Sequence, residues 1–237
     1  MNAIFKSLLL LGALFSANAA QADTIKILTE EHPPLNMKDG DKITGTATDI
    51  VRELMKRANV TYTLDLVPWE RGYETTLNQD NYALYSTTRT PAREPLFKWV
   101  GPLAQNDWVL VGKKSKNIKI NTIEDARKYV IGGYTGDAKA SYLEHELHFK
   151  VALADNEDQN LRKVISDRID LWVTGDAQFR YATKQAGITD LESVFNFRKV
   201  GMYLAFNKDT PDALIQKLNA TLEDMHKDGT FDKLSAQ

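Results

Sequence analysis

The pattern that most constrains the fold is a strand–helix alternation that runs twice along the chain. Apolar, β-branched runs predict strands at residues 24–28, 62–67 and 82–86, and segments with helical periodicity separate them. A second alternation begins after the polar run KKSKN at residues 113–117. Alternation of this kind is typical of α/β domains with mainly parallel sheets. The sequence therefore predicts two α/β lobes, each with a mainly parallel sheet flanked by helices.

The order of the predicted elements also indicates how the two lobes connect. We expect the first lobe to comprise residues 23–107 and 204–237, because the last long helix has no lobe of its own and is free to return to the first. The second lobe would span residues 112–198, and residues 108–111 and 199–203 would form two hinge strands. Two crossings between lobes are typical of a hinge, so the cleft between the lobes is the natural place for a site.

Composition excludes several classes of function. The chain has 237 residues, a formal net charge of -2 and no cysteine. Without cysteine there is no disulfide, thiol nucleophile or cysteine metal site. The charge offers no basic face for nucleic acid. The sequence also lacks a nucleophile motif and a glycine-rich phosphate loop, so we predict a protein that is not an enzyme and needs no cofactor.

The N-terminus has the features of a secretory signal peptide, which we assign to residues 1–22. Lys6 precedes the apolar run from Leu8 to Phe15, and Ala20-Gln21-Ala22 matches a small-x-small cleavage site. The apolar run is far shorter than the ~20 residues of a membrane-spanning helix. We therefore expect cleavage after Ala22 and export to the periplasm.

The stretch from Leu84 to Pro102 carries the strongest indication of a binding site. Its predicted strand ends in Ser86-Thr87-Thr88-Arg89, and Arg93 follows four residues later. Backbone N–H groups at a strand end, hydroxyls and a guanidinium together suit a carboxylate, because arginine presents a planar fork of donors. Residue type alone leaves Arg89 and Arg93 as competing candidates.

Other candidates each have a structural alternative. Trp69 opens a helix at a strand-to-helix junction, where it is either a core anchor or a pocket wall. Arg71 is either directed at the cleft or solvated. Glu31 follows the first strand, where an acid can bind an amine or remain an exposed loop charge. Asp176 is either a helix cap or a ligand contact, and His32 covers the cleft floor.

A metal site is not predicted, although Glu144-His145-x-x-His148 places two histidines on one helical face. Two ligands without a catalytic metal signature are a weak indication, and we interpret these residues as a solvated helix face.

Taken together, these motifs resemble the periplasmic solute-binding proteins of ABC transporters for polar amino acids, the bacterial extracellular solute-binding protein family 3. The resemblance covers essentially the whole mature chain and includes proteins that bind histidine or lysine, arginine and ornithine. It is carried by the order and spacing of the segments EHPPLN, STTRTPAR, GGYTGDA, RIDLWVTGD and MHKDGTFDKL. It implies a two-lobed Venus-flytrap fold, of periplasmic binding protein type II, that closes on one ligand.

The resemblance implies roles for residues of the first lobe. The family position of Arg93 pairs with the ligand α-carboxylate, which favours Arg93 over Arg89. The position of Thr88 donates to the same carboxylate, and Ser86 lies on the ligand path. His32 falls where the family often carries an aromatic ring, and Trp69 falls on an apolar wall.

The second lobe departs from the family pattern at two points. The turn Gly136-Asp137-Ala138 matches a carboxylate contact at a helix N-terminus, yet the charge of Asp137 would repel an acid unless its side chain caps the helix. Gly175 stands where the family carries an acid for the α-amino group, with Asp176 one residue later. The amine partner therefore stays open, as does whether the ligand has an α-amine.

The resulting hypothesis is a monomeric periplasmic protein that captures a carboxylate-bearing small molecule, expected to be an amino acid, and delivers it to the permease of an ABC transporter. Two alternatives share this fold. One is a sensor that docks its liganded form onto a membrane receptor. The other is a dehydratase-like enzyme acting on a carboxylated ring, with Glu31, His32 or Asp176 as a general acid.

Overall fold

The computed structural model describes residues 24–236, so the predicted signal peptide lies outside the described residues. The described residues form twelve strands. In chain order these are β1 (Ile25–Thr29), β2 (Met37–Asp39), β3 (Lys42–Thr44), β4 (Tyr62–Leu66), β5 (Tyr82–Thr88), β6 (Phe97–Gln105), β7 (Trp108–Lys113), β8 (Ile131–Tyr134), β9 (Val151–Ala154), β10 (Leu171–Gly175), β11 (Leu191–Arg198) and β12 (Gly201–Asn207).

Helices connect these strands. The α-helices are α1 (Thr46–Arg57), α2 (Trp69–Asn78), α3 (Ala138–Ser141), α4 (Glu157–Ile165), α5 (Asp176–Ala186), α6 (Asp212–Lys227) and α7 (Thr230–Ser235). Short 3-10 segments span Glu94–Leu96, Lys114–Lys116 and Ile123–Lys128, and a π-helical turn spans Tyr142–Glu146.

Two five-stranded sheets organise the molecule, with strand orders β4-β1-β5-β12-β6 and β11-β7-β10-β8-β9. In the first sheet only β12 runs against the other four strands, and in the second only β7 does. The predicted α/β class with mainly parallel sheets is therefore confirmed. A separate hairpin of β2 and β3 turns at Gly40-Asp41.

The chain passes from the first sheet to the second between β6 and β7, and it returns between β11 and β12. Only residues 106–107 and 199–200 lie between the strands at these crossings. Residues 108–111, predicted as a hinge strand, belong to β7 of the second sheet, and residues 201–203 belong to β12 of the first.

The first sheet is covered by α1, α6 and α7. Ile50, Val51, Leu54 and Met55 on α1 are almost fully buried against this sheet, as the helical spacing predicts. Leu218, Leu222 and Met225 of α6 join the same core. The terminal helices therefore complete the first half of the molecule.

Local helix signals were mostly correct. Asn156 accepts a hydrogen bond from the Gln159 N–H, Thr122 and Asp125 form a capping box, and Gly187 ends α5 in the left-handed region. The sequence Thr46-x-x-Asp49 has the spacing of a capping box, but no such box forms, because Gly45 is the N-cap of α1. At Gly45 φ is 116°, and a Cβ there would come within 2.4 Å of the Leu35 carbonyl oxygen, so only glycine fits.

The sequence from Ala138 to Leu147 favours one continuous helix, but the structure divides this segment. It ends as α3 at Ser141 and continues as the π-helical turn Tyr142–Glu146. The wider turn keeps Leu143 in the core while Tyr142 stacks on Phe197, with ring centroids 6.4 Å apart.

Candidate ligand-binding cleft

A cleft lies between the two sheets, where the carboxyl ends of β1, β5 and β8 face one another. Open α/β sheets place ligand sites at these strand ends. The residues around its centre come from both halves of the molecule: Glu30, His32, Trp69, Ser86, Thr88, Arg93, Tyr134, Asp137, Ala138, Lys139 and Met202. The central cavity has room of about 10 Å³, the space of about one water molecule. The two halves therefore meet closely here.

Arg93 lines the first-sheet side of the cleft. Its guanidinium donates to the Thr88 carbonyl oxygen at 3.4 Å and, across the cleft, to the Gly136 carbonyl oxygen at 3.1 Å. It also lies 5.1 Å from the ring centroids of Trp69 and Tyr73. None of its described contacts is an ion pair with a carboxylate. The guanidinium is therefore placed by neutral groups and keeps its full charge for an anion.

Arg89, the competing arginine, is committed elsewhere. Its guanidinium forms two 2.6 Å hydrogen bonds to the carboxylate of Glu94. The same carboxylate raises the pKa of Arg89. Arg89 does not line the cleft centre, so the geometry favours Arg93 over Arg89 as the partner of an anion.

Trp69 closes the cleft from the start of α2. Its indole N–H donates to the Gly136 carbonyl oxygen at 2.9 Å, the same oxygen that Arg93 contacts. Gly136 has a φ of 74°, and a Cβ there would lie 3.2 Å from the Trp69 ring. Trp69 also packs with Leu28 and Leu84. Trp69 is therefore both an anchor of the core and a wall of the cleft.

Ser86 and Thr88 line the cleft from the end of β5. Ser86 adopts a φ of 58° beside a break in the β5–β12 register. Such irregularities redirect side chains next to functional sites. The Ser86 hydroxyl donates to the Asn36 side-chain oxygen, and the Thr88 hydroxyl donates to the Met202 sulfur at 3.3 Å.

The second-sheet side of the cleft carries a buried ion network. Asp137 caps α3 by accepting from the Lys139 and Ala140 N–H groups, so its side chain does turn to the helix. The Lys139 ammonium lies 2.9 Å from Asp137 Oδ1 and 3.8 Å from Glu157 Oε1, and Lys139 is 2% exposed. Glu157 also accepts hydrogen bonds from Trp172 Nε1 at 2.6 Å and Thr174 Oγ1 at 3.2 Å.

Burial shifts the ionisation of this network. Burial raises the pKa of Glu157 to about 7, because the partial compensation from Lys139 is smaller than the desolvation penalty. Burial alone would lower the pKa of Lys139, but Asp137 and Glu157 raise it above its ordinary value. Lys139 therefore stays charged, and its charge is already matched by acids of the chain itself.

Asn106 occupies the space beside Gly175, where an acid was the family expectation. A Cβ at Gly175 would lie 2.0 Å from Asn106 Oδ1. Asn106 is 2% exposed, and within residues 24–236 its Oδ1 accepts no hydrogen bond. Its amide nitrogen lies 3.5 Å from His32 Nε2. A neutral amide from the first crossing thus stands where a side chain of residue 175 would project.

Four predicted candidates are not among the residues that line the cleft centre, and one of them, Gly136, contributes its backbone carbonyl oxygen to Trp69 and Arg93. Asp176 is the first residue of α5 and pairs with Arg180 at 2.7 Å. Arg71 is exposed on α2. Glu31 accepts the Lys38 N–H at 3.0 Å and lines a separate cavity.

Four residues of the cleft centre were not predicted: Glu30, Tyr134, Lys139 and Met202. Glu30 accepts a hydrogen bond from the Tyr134 hydroxyl at 3.2 Å, which joins the two halves. Glu30 precedes Glu31, Tyr134 lies within the quoted segment GGYTGDA and Lys139 directly follows that segment, so proximity along the chain was the available signal for these three residues.

The cleft widens into a cavity of about 720 Å³ on the far side of Arg93. Trp69, Arg93 and Ala138 line both this cavity and the cleft centre. Tyr73 from the first half and Tyr142 from the second add aromatic walls. The volume is within the ~300–1,000 Å³ range of small-molecule sites.

The described residues lack the features of two other classes of site. Among residues 24–236, no helix combines the length and apolarity needed to cross a membrane. No group of three or more histidine, aspartate or glutamate side chains within this range is placed to hold a metal ion.

Comparison with known proteins agrees with the geometry. A putative ABC transporter arginine-binding protein 2 from Escherichia coli K12 is 24% identical over 234 residues, which cover 93% of this chain and 92% of that protein. An ancestral arginine-binding protein bound to arginine superposes with a TM-score of 0.77 at 24% identity, over 89% of this chain and 96% of that one. A histidine kinase sensor domain with similarity to periplasmic binding proteins gives a TM-score of 0.81 at 16% identity, over 90% and 94%.

Residues 25–237, nearly the whole chain after its N-terminal segment, match one family as a unit. The structural neighbours confirm the fold that the sequence predicted, a type II periplasmic binding protein with two mixed sheets. The chain belongs to the bacterial extracellular solute-binding proteins of family 3.

Proposed function

We propose that this protein captures an amino acid or a related small carboxylate in the cleft between its two halves and delivers it to an ABC permease. The observation that carries the proposal is Arg93, a guanidinium at the cleft that has neutral partners only. An arginine held by backbone carbonyls and two aromatic rings is pre-organised, so a carboxylate gains charge-assisted hydrogen bonds at little ordering cost.

The ligand binds by closure of two lobes. We assign the first sheet and its helices to one lobe and the second sheet to the other, with residues 106–107 and 199–200 as the hinge. Trp69 and Arg93 of the first lobe both contact the Gly136 carbonyl oxygen of the second. A ligand that replaces or adds to these contacts binds the closed form better and shifts the population towards it.

The rest of the ligand lies beyond its carboxylate, in the cavity of about 720 Å³ with Trp69, Tyr73 and Tyr142 as walls. The relatives described as arginine-binding make arginine the first amino acid to test. Glu30, which follows β1 of the first sheet, and the unpartnered Oδ1 of Asn106 at the first crossing are the acceptors placed to receive a ligand amine.

The proposed setting is the periplasm, reached after cleavage behind Ala22, and the proposed role is binding without turnover by a monomer. Intact mass of the protein recovered from the periplasm tests the cleavage site. A mass that corresponds to a chain beginning at any residue other than Asp23 contradicts the proposed cleavage site.

The test of the function begins with a thermal-shift screen of amino acids and small carboxylates. The tightest binder is then titrated by calorimetry into the native protein, Arg93→Ala and the matched control Arg89→Ala. We expect Arg93→Ala to lose at least 100-fold in affinity and Arg89→Ala to stay within about twofold, because its partner Glu94 holds it away from the cleft. Equal affinities in all three proteins refute the proposed role of Arg93.

A further inference from the structure

Tyr134, the last residue of β8, belongs to the second sheet through its backbone. It is in register with Ala154 of the parallel strand β9, and its carbonyl oxygen accepts the Asp137 N–H at 3.2 Å. The next residue, Thr135, donates its N–H to the Ala154 carbonyl oxygen at 3.0 Å. The backbone of Tyr134 is therefore held in place by the second half of the molecule.

The side chain of Tyr134, in contrast, is buried by the first half. It is 4% exposed and forms one apolar cluster with Leu28 of β1, Trp69 of α2 and Leu84 of β5. The partly buried residues packed against this cluster also belong to the first half: Val67, Tyr73 and Tyr82. Within residues 24–236, Tyr134 is thus the one member of the cluster that comes from the second sheet.

The hydroxyl of Tyr134 also finds its partner in the first half. It donates to Glu30 Oε1 at 3.2 Å. Burial raises the pKa of Tyr134 well above its ordinary value, and the neighbouring carboxylate of Glu30 adds to the shift. The hydroxyl therefore keeps its proton and remains a donor to Glu30. From its own half, the ring has the Lys139 ammonium 5.6 Å from its centroid.

The contacts of Tyr134 are made by the chain itself and favour the closed arrangement. Separation of the halves would expose the ring and the apolar surface around it to water, and would break the hydrogen bond to Glu30. The bonds from Trp69 and Arg93 to the Gly136 carbonyl oxygen are polar contacts, which exchange with water at a modest net cost. The ring of Tyr134 adds an apolar contribution that these hydrogen bonds lack.

We propose that Tyr134 is a positioning residue for ligand capture, an anchor between the halves whose buried ring sets the fraction of the protein in the closed form. Its effect on affinity rests on the proposed function. A ligand that binds only the closed form has an apparent affinity scaled by the closed fraction. Tyr134 therefore acts on the affinity for every ligand of the cleft, whereas Arg93 acts through the carboxylate.

Double electron–electron resonance on the ligand-free protein measures the closed fraction. The chain has no cysteine, so spin labels attach only at Lys56→Cys on α1 of the first half and Lys184→Cys on α5 of the second, both exposed positions. We expect a closed and an open distance population. Tyr134→Ala should lower the closed-to-open ratio by at least tenfold. Tyr134→Phe keeps the ring and loses the hydroxyl, so it should lower the ratio by about fivefold.

Tyr129→Ala is the matched control, because the ring of Tyr129 packs against the core of the second half. This variant should leave the closed-to-open ratio within about twofold of the native value. Thermal unfolding checks that each variant is folded. The proposal is overturned if the ratio is the same in the native protein and Tyr134→Ala, or if Tyr129→Ala lowers it equally.

Calorimetry with L-arginine distinguishes an anchor from a competitor of the ligand. We expect the affinity to fall in Tyr134→Phe and Tyr134→Ala by the same factor as the closed fraction. A higher affinity in Tyr134→Ala would show that the ring occupies space that the amino acid needs, which overturns the proposal. A native protein that does not bind L-arginine counts against arginine as the ligand of the proposed function, while the spin-label distances still decide the role of Tyr134.

Discussion

The two sides of the cleft differ in whether their cationic side chain is paired with an acid. On the first-sheet side, Arg93 is placed by backbone carbonyls and aromatic rings and has no acid partner among the described residues. On the second-sheet side, Lys139 is as buried as a core residue, and Asp137 and Glu157 already neutralise it. One side retains unpaired charge for a ligand, and the other is internally satisfied.

This difference separates anchoring from selection. A free guanidinium binds any carboxylate of suitable size, so the first side accepts a class of ligands. Glu30 at the end of β1, Asn106 at the crossing between the sheets and the network around Lys139 on the second side decide what else the ligand carries. The comparison predicts that substitutions on the second side change stability, while substitutions on the first change affinity.

The largest effect is expected from Lys139→Met. Removing the ammonium takes the counter-ion from the buried acids Asp137 and Glu157, which costs about 3–5 kcal/mol of unfolding free energy. Urea denaturation measures the loss. Lys116→Met is the matched control, because Lys116 pairs with Asp167 and Asp170 at the surface, where such pairs contribute about 0–1 kcal/mol. Equal losses in the two variants would show that the internal network does not stabilise the fold.

The next effect concerns pH. Burial raises the pKa of Glu157 from 4.5 in the unfolded chain to about 7 in the folded protein. As pH rises from about 4.5 to about 7, the unfolded state gives up this proton first, so folding stability falls, by up to about 3 kcal/mol. Glu157→Gln lacks this dependence. Between pH 5 and 8, the unfolding free energy of the native protein therefore falls relative to that of Glu157→Gln.

Denaturant unfolding at several pH values measures that difference, with Glu223→Gln as an exposed control that tracks the native protein. If the native protein and Glu157→Gln keep a constant separation from pH 5 to 8, the carboxyl of Glu157 titrates as an ordinary surface acid and the buried network is misdescribed.

Gly175→Ala is expected to cost about 1–3 kcal/mol of stability, because overpacking a filled site forces neighbours to move. Its Cβ would lie 2.0 Å from Asn106 Oδ1. Asn106→Ala removes the obstructing amide, so the double variant should recover part of the loss, and thermal denaturation of the four proteins gives the coupling. Additive losses would place the strain somewhere other than the contact with Asn106.

The smallest effect is expected from Trp69→Phe. It removes the indole N–H that donates to Gly136, a hydrogen bond with a net contribution of about 1 kcal/mol. Because this bond joins the two sides, its loss should favour the open form and increase the radius of gyration of the ligand-free protein in small-angle scattering. Tyr73→Phe, which keeps the ring at the neighbouring position of the cavity wall, is the control and should leave the radius unchanged.

Much of the fold was predictable because its signals are local. The α/β alternation, the cap at Asn156 and the end of α5 at Gly187 depend on a few neighbouring residues. The strands β6, β9 and β11 were missed. β6 contains Gly101 and Pro102, and it is a strand because β12 and α6 pack against it. No local pattern carries that information.

The residues of the site also divide into those that the local sequence predicts and those that depend on tertiary packing. Ser86, Thr88 and the two competing arginines follow one strand end, where residue type was enough to propose a carboxylate site, and the family resemblance then favoured Arg93 over Arg89. Lys139 was missed because a lysine on a short helix is usually solvated, and its burial depends on Glu157, eighteen positions later in the chain. Asn106 was missed because its place beside Gly175 exists only once β7 pairs with β10.

The most direct test of the account is a cycle that pairs Arg93 with the ligand carboxylate. Calorimetry compares the tightest-binding amino acid with its carboxamide, in the native protein and in Arg93→Gln. We predict that the carboxamide binds the native protein about 100-fold more weakly, or about 2.7 kcal/mol, and that most of this penalty disappears in Arg93→Gln. A carboxamide penalty that is the same in both proteins would contradict the claim that Arg93 holds the carboxylate.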